Sequence, residues 1–347
     1  PVTPADVKAE QDIQRLPREF PRRFVPTDIN LGEWSQIEPL FQRLEQASLT
    51  TEAEVEAWLE QCDELWGCMG QEGSLRHILL TLATNDPKRL AAWQVWLTEL
   101  SPKLTSAAHR LDEKLVKSDG WKKLNPDRYK VFQRSLKNQM ELYREENIPL
   151  EQEEGQQGQA YQELVGSLSI TFQGQTYTLP QIAKFLEDPA RETREGAWRA
   201  IAVCYEGHTE KFDSIFETLF KIRQAQARNA GFDNYRDYAF RQRSRFDYTP
   251  ETCETFHRAV ETHVVPLISR LNASRARRLG LPALKPWDLE VDPAGGTPLR
   301  PFQNGEELSA RTSAVFQSLD PEFHQYFEKM RTMGLLDLES RPNKMSG

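Results

Sequence analysis

Between Leu179 and Tyr248 the sequence carries an apolar pattern that few folds can absorb. Ala197, Ile201, Tyr205, Phe212, Ile215, Phe216, Leu219 and Ile222 recur mostly at three- and four-residue steps, the spacing that stacks side chains on one face of a helix. The pattern predicts one long, core-forming helix. Asp188-Pro189 marks its start, a capping carboxylate ahead of a proline whose missing N–H costs nothing in the first turn. Gly231 marks its end, where a residue without Cβ can take the left-handed conformation. A second short helix is expected from Asn234 through Tyr238.

The chain ahead of this stretch is also helical in pattern. After a proline-punctuated lead-in over residues 1–27, Trp34, Ile37, Leu40, Phe41 and Leu44 share one face. Thr50-Thr51-Glu52-Ala53 supplies a capping start, and Val55, Trp58, Leu59, Cys62, Leu65 and Trp66 continue a second helix, making an antiparallel hairpin. Further helices are predicted over 74–83, 87–100, 102–116 and 126–142. Trp58, Trp66, Trp93, Trp96 and Trp121 are read as packing residues. Residues 151–160 are polar and contain glycine, so they form either a loop or the end of a long helix, and a domain boundary is expected there. A β-hairpin follows over 167–179, alternating around Gly174. The fold class is mainly α: a multi-helix body with this one small hairpin.

Beyond Tyr248, Thr249-Pro250-Glu251 opens another helix, with Phe256, Val260, Val264, Leu267, Ile268 and Leu271 expected inward. Proline and glycine make 281–302 irregular, with Trp287 to Val291 read as extended. Helices over 306–319 and 321–334 close the pattern.

At these residues the chain resembles a known family. Asp188-Pro189-x-Arg191-x-x-Arg194-x-x-Ala197-Trp198, the aromatic helix, and Ala227-Arg228-x-x-Gly231-Phe232-x-Asn234-Tyr235-x-Asp237-Tyr238 occur in an order similar to the oligoendopeptidase F branch of the thimet-type zinc metallopeptidases. Phe246-Asp247-Tyr248, Arg277 to Asp288 and Leu336 to Gly347 continue the resemblance. It implies an oligopeptidase-like fold, short peptide substrates cleaved inside a closed channel, and zinc as cofactor. It further implies a channel wall built by Arg241, Arg245 and Tyr248, and by Arg341, Lys344 and Gly347, as the substrate-binding residues. Arginine and lysine suit a peptide carboxylate, and tyrosine can donate to a carbonyl or a tetrahedral intermediate.

The family's His-Glu-x-x-His is not in this sequence. His77, His109, His208, His257, His263 and His324 are each read as surface or packing residues. His257 and His263 stand about 240° apart around a helix and cannot share a metal. No residue is therefore assigned to catalysis or to metal binding. Residues 1–150 are read as an N-terminal helical domain and 151–347 as the front part of a peptidase domain. The zinc half is expected from outside these residues, this chain reading as the front portion of a longer enzyme or as one of two polypeptides. The rival reading is a non-catalytic helical binding or scaffold protein derived from that fold.

Partners are bounded by charge. A net charge of −8 and a pI near 5.5, with both signs interspersed, leave no concentrated basic face for nucleic acid. No apolar run is long enough to span a membrane. Four cysteines without a Cys-x-x-Cys pair fit a cytoplasmic protein with free thiols.

Overall fold

Two proline-bearing helix starts and one capping box organise the front of the molecule. The computed structural model describes residues 22–345; the first 21 residues of the lead-in lie outside it, as does Gly347. Helix α1 (Trp34–Gln46) and helix α2 (Glu52–Leu82) form the expected hairpin. Thr51 Oγ1 accepts from the Glu54 N–H at 3.2 Å, and the Glu54 carboxylate accepts from the N–H groups of Thr50 and Thr51 at 2.7 and 3.0 Å. Helix α2 runs for 31 residues and absorbs the separate helix predicted over 74–83. Gly73 lies in its middle because the Trp96 ring packs there: an added Cβ would sit 2.5 Å from the indole.

Helix α3 (Pro87–Val95) passes through one π turn, Trp96–Leu100, into α4 (Ser101–Lys117), so two predicted helices form one rod. The widened turn has a local cause. Pro102 has no N–H for the normal helical ladder, and the bond from the Ser101 N–H to the Trp96 carbonyl takes up the irregularity. Helix α5 (Pro126–Leu142) has the predicted bounds. Helix α6 (Ile148–Ser167) carries 151–160 in its interior, so that stretch is no loop. Strands β1 (Ile170–Phe172) and β2 (Gln175–Tyr177) pair antiparallel, Ile170 opposite Tyr177, around positive-φ Gln173 and Gly174. Helix α7 (Leu179–Ala183) leads from the hairpin towards α8.

The predicted long helix is two: α8 (Arg191–Glu206) and α9 (Thr209–Asn229). Gly207 ends α8, and His208 Nδ1 sits 2.8 Å from the Cys204 carbonyl, satisfying a last-turn acceptor. The apolar period runs across this break, which is why spacing alone missed it. The start also differs. Asp188 accepts from the Ala190 N–H at 2.8 Å in a turn, and the helix begins only at Arg191. Gly231 does take the left-handed conformation, φ 84°. Helix α10 (Tyr235–Gln242) follows, then α11 (Pro250–Ala259), a second π turn (Val260–Val264) just before Pro266, α12 (Val265–Arg278), α13 (Gly305–Leu319) and α14 (Pro321–Thr332). Trp287 and Asp288 lie in a buried 3₁₀ turn instead of an extended segment, because Asp288 accepts from the Lys285 N–H and from two arginines of α8.

The main core lies among α1, α2, α4 and α5, around Phe41, Leu65, Leu111 and Leu136. A second joins the ends of α5 and α9 to α10 through Leu142, Ala227, Ala230 and Tyr238, and a third sits under the hairpin at Ile170, Ile182 and Ala197. Two inward expectations are corrected. Tyr205 of α8 and Phe216 of α9 are 41% and 68% exposed, and Phe256, Val264, Leu267, Ile268 and Leu271 are likewise exposed. Their helices are amphipathic, but nothing among the described residues covers these faces.

Glu64 anchors the front edge. Its carboxylate accepts from the N–H groups of Arg23, Phe24 and Val25 at 2.7–3.0 Å. Burial alone would raise its pKa, and these three donors outweigh burial and hold it below the usual value. The contribution is therefore present above the ordinary carboxylate pKa and lost as pH falls through the lowered one. Glu64→Gln is expected to cost about 2 kcal/mol in urea unfolding at pH 7, with the gap from the parent chain closing as pH falls through the lowered pKa.

Candidate functional site

Three of the six sequence-derived site residues meet at one cavity, and a helix C-terminus brings them there. Helix α10 ends with the Ser244 N–H bonded to the Arg241 carbonyl at 3.0 Å and the Arg245 N–H bonded to the Phe240 carbonyl at 2.9 Å. This is a Schellman closure with Ser244, φ 52°, in the left-handed position that glycine usually fills. The reversal folds the following residues back over the helix. Phe240 and Tyr248 meet edge-on with centroids 5.8 Å apart, and the Arg245 guanidinium lies 5.3 Å over Phe240 and 6.0 Å over Tyr248.

Opposite this turn stands α5. Arg241 donates to Asn138 Oδ1 and to Glu141, both at 2.5 Å, while Asn138 Nδ2 donates back to the Arg241 carbonyl at 2.8 Å. Asn138 is 5% exposed, so this exchange is a fixed joint between α5 and α10. Arg241 is thereby held by its neighbours, whereas Arg245 and Tyr248 face the cavity as side chains at the surface. The cavity measures about 760 Å³ and is lined by these residues with Phe232, Phe246, Lys130, Arg134 and Lys137. Asp237, also in the lining, accepts from Asn234 Nδ2 and Arg236, and these bonds hold its carboxyl below the usual range. Beyond Asn138 lies a second space of about 450 Å³, where burial pushes Asp112 up to about 7 and His109 stacks on Tyr143 at 3.6 Å.

Arg341 and Lys344 are placed elsewhere. Arg341 bonds Asp337 and donates to the Leu82 carbonyl at 2.9 Å, at the C-terminus of α2. Lys344 donates to the carbonyls of Asp337 and Glu339 at 2.8 and 3.0 Å. Between them Asn343, φ 61°, bonds Gly166 and Thr84. The segment 341–345 is thus stapled across the ends of α2 and α6. Gly347 lies outside the described residues.

The lysines and arginine of α5 were not singled out from sequence. Their signal was present, since Lys130, Arg134 and Lys137 fall at i, i+4 and i+7 on one face. The aromatic stripe of the same helix drew attention to its core side.

Among the described residues no three His, Cys, Asp or Glu side chains converge on a point that could hold a metal ion. The residues present do not form the zinc site that the resemblance implies, and no chemical step is derived through that metal. Among the described residues no helix is long and apolar enough to cross a membrane.

The α1–α2 hairpin bundle, the small β-hairpin feeding α8, and the Schellman turn beside α5 make a mainly helical body with one small hairpin. Comparison with known families agrees: the model of peptidase family M3 matches residues 184–347, and that of the peptidase M3 N-terminal domain matches 29–143. The chain belongs to peptidase family M3. Among solved structures, one described as PZ peptidase A with inhibitor 2 superposes with a TM-score of 0.86 at 25% identity, covering 94% of this chain and 58% of that one. A structure described as an oligoendopeptidase F from Bacillus anthracis str. Ames gives 0.85 at 21% identity, over 94% and 60% of the two chains. An oligoendopeptidase F from Enterococcus faecium gives 0.61 at 16% identity, over 98% and 69%. The last two speak for the fold alone. The chain spans about three-fifths of the length of the first two structures. No curated protein matches it.

Proposed function

We propose that this chain is the front part of a zinc-dependent oligoendopeptidase that hydrolyses short peptides inside a closed channel. Residues 1–150 are its N-terminal helical domain, and 151–347 form one wall of its peptidase domain. The observation that carries the reading is membership of peptidase family M3 combined with the cavity where Arg245 and Tyr248 meet α5. The sequence contains no His-Glu-x-x-His, so in this reading the metal-bearing helix lies outside these 347 residues. The exposed apolar side chains of α11 and α12 are what such a portion would cover. Short peptides are the substrates, the compartment is cytoplasmic, and the 347-residue chain alone is inactive. Arg241 keeps α5 and α10 in register, while Arg341 and Lys344 shape the path of 337–345.

Zinc content of the native protein and cleavage of a fluorogenic oligopeptide, with and without chelator, test this. The chain alone is expected to hold no stoichiometric zinc and to show no chelator-sensitive cleavage. Denaturing mass spectrometry of an active preparation is expected to reveal polypeptide beyond the 40.1 kDa of these residues, joined to them or separate. Chelator-sensitive hydrolysis by the chain alone overturns the proposed division. A stable chain that neither binds peptides nor recruits a second polypeptide is instead a helical scaffold.

A further inference from the structure

The cavity beside α5 carries more positive charge than its own side chains neutralise. Arg241 is paired with Glu141, and Arg134 lies 3.8 Å from Asp247 and over the Phe246 ring. Among the described residues no carboxylate stands within ion-pair distance of Lys130, Lys137 or Arg245, all exposed on this cavity. Asp237 does not serve them, because it is bonded to Asn234 and Arg236. In a chain of net charge −8, three unneutralised cations on one concave surface are a local reversal of sign. Aromatic side chains share the wall with them: Phe232, Phe240, Phe246 and the Tyr248 ring.

We propose that this cavity is a subsite for the C-terminal residue of a short peptide, with Lys130, Lys137 and Arg245 receiving its free α-carboxylate and the aromatic wall receiving a large apolar side chain. The inference rests on the peptide-binding reading above and adds the end of the peptide and the residues that read it. A C-terminal residue carries carboxylate and side chain on one Cα, which matches cations and rings sharing one cavity. Cationic donors to a carboxylate give charge-assisted hydrogen bonds, stronger than the neutral bonds available to a C-terminal amide. Arg241 is a positioning residue, held by Asn138 and Glu141.

The test is anisotropy of N-terminally fluorescein-labelled Ala-Ala-Ala-Phe added to the full chain, compared with its C-terminal amide and with Ala-Glu-Ala-Phe amide. The free acid is expected to bind about tenfold more tightly than the amide. Lys137→Gln and Arg245→Gln, at exposed positions that leave the helical circular dichroism unchanged, are each expected to shrink that ratio to about twofold. Equal affinity for acid and amide overturns the subsite and leaves the peptide reading standing. Binding of the glutamate-containing amide as tightly as the free acid overturns the α-carboxylate assignment in favour of an acidic side chain. Binding of none of the three overturns the peptide reading and the subsite together.

Discussion

Asp288→Ala is expected to cost about 3–5 kcal/mol, because it leaves a buried arginine without its counter-charge. Asp288 is fully buried and Arg194 only 3% exposed. The carboxylate accepts from Arg191 Nε and Nη2 at 2.9 Å each, from Arg194 Nη2 at 3.1 Å and from the Lys285 N–H at 2.9 Å. Arg194 also donates to the carbonyls of Trp287, Asp188 and Pro189. One carboxylate thereby ties the start of α8 to the 286–288 turn, almost a hundred residues on. Burial alone would raise its pKa; the bonds from Arg191, Lys285 and Arg194 outweigh burial and hold it at about 2, below the ordinary 3.8. The stabilisation is thus complete above the ordinary value and fades as pH falls towards about 2. Urea unfolding and limited proteolysis between 280 and 300 measure the loss. The double variant Asp288→Ala, Arg194→Met is expected to recover part of it, since it leaves no buried orphan ion, Arg191 being 36% exposed. A double variant no more stable than Asp288→Ala refutes the role given to the orphan charge.

How much of this was legible in the sequence depends on how local the cause is. The Thr51 capping box, the Gly174 hairpin, the left-handed Gly231 and the bounds of α5 each follow from a few neighbouring residues, and each is found. The break at Gly207-His208 was hidden because the apolar period continues across it, and only the His208 contact with the Cys204 carbonyl reveals it. The triad at Asp288 joins positions far apart in sequence, so Trp287 to Val291 read as extended on local pattern alone. At the site, Arg245 and Tyr248 were found through a resemblance, yet their approach to α5 depends on a serine in the left-handed position of a Schellman turn, where a glycine signal would be sought. Arg341 and Lys344 carry the right charge for a channel wall, but which carbonyls they meet is set by the long-range return of 341–345 to Leu82 and Gly166.

The amphipathic face of α11 and α12 shows most clearly what periodicity does and does not report: it says that a face is apolar, not that anything lies against it. Two phenylalanine truncations separate those conditions. Phe41 is fully buried, with the Trp34 ring at 5.6 Å and the Trp66 ring at 5.4 Å. Phe41→Ala removes those contacts and leaves a cavity in the main core, and is expected to cost about 3–5 kcal/mol in urea unfolding. Phe256 is 66% exposed. Phe256→Ala leaves no cavity and is expected to fall within about 0.5 kcal/mol of the parent chain, while the charge substitution Leu271→Glu on the same uncovered surface lowers binding of a hydrophobic dye. A large cost at Phe256 in the isolated chain shows that α11 already packs against something, and the proposed covering portion loses its main physical support. A negligible cost at Phe256 beside a large one at Phe41 divides the molecule into a front bundle stabilised by its own core and a helical face whose apolar residues gain stability only when a further surface is laid on them.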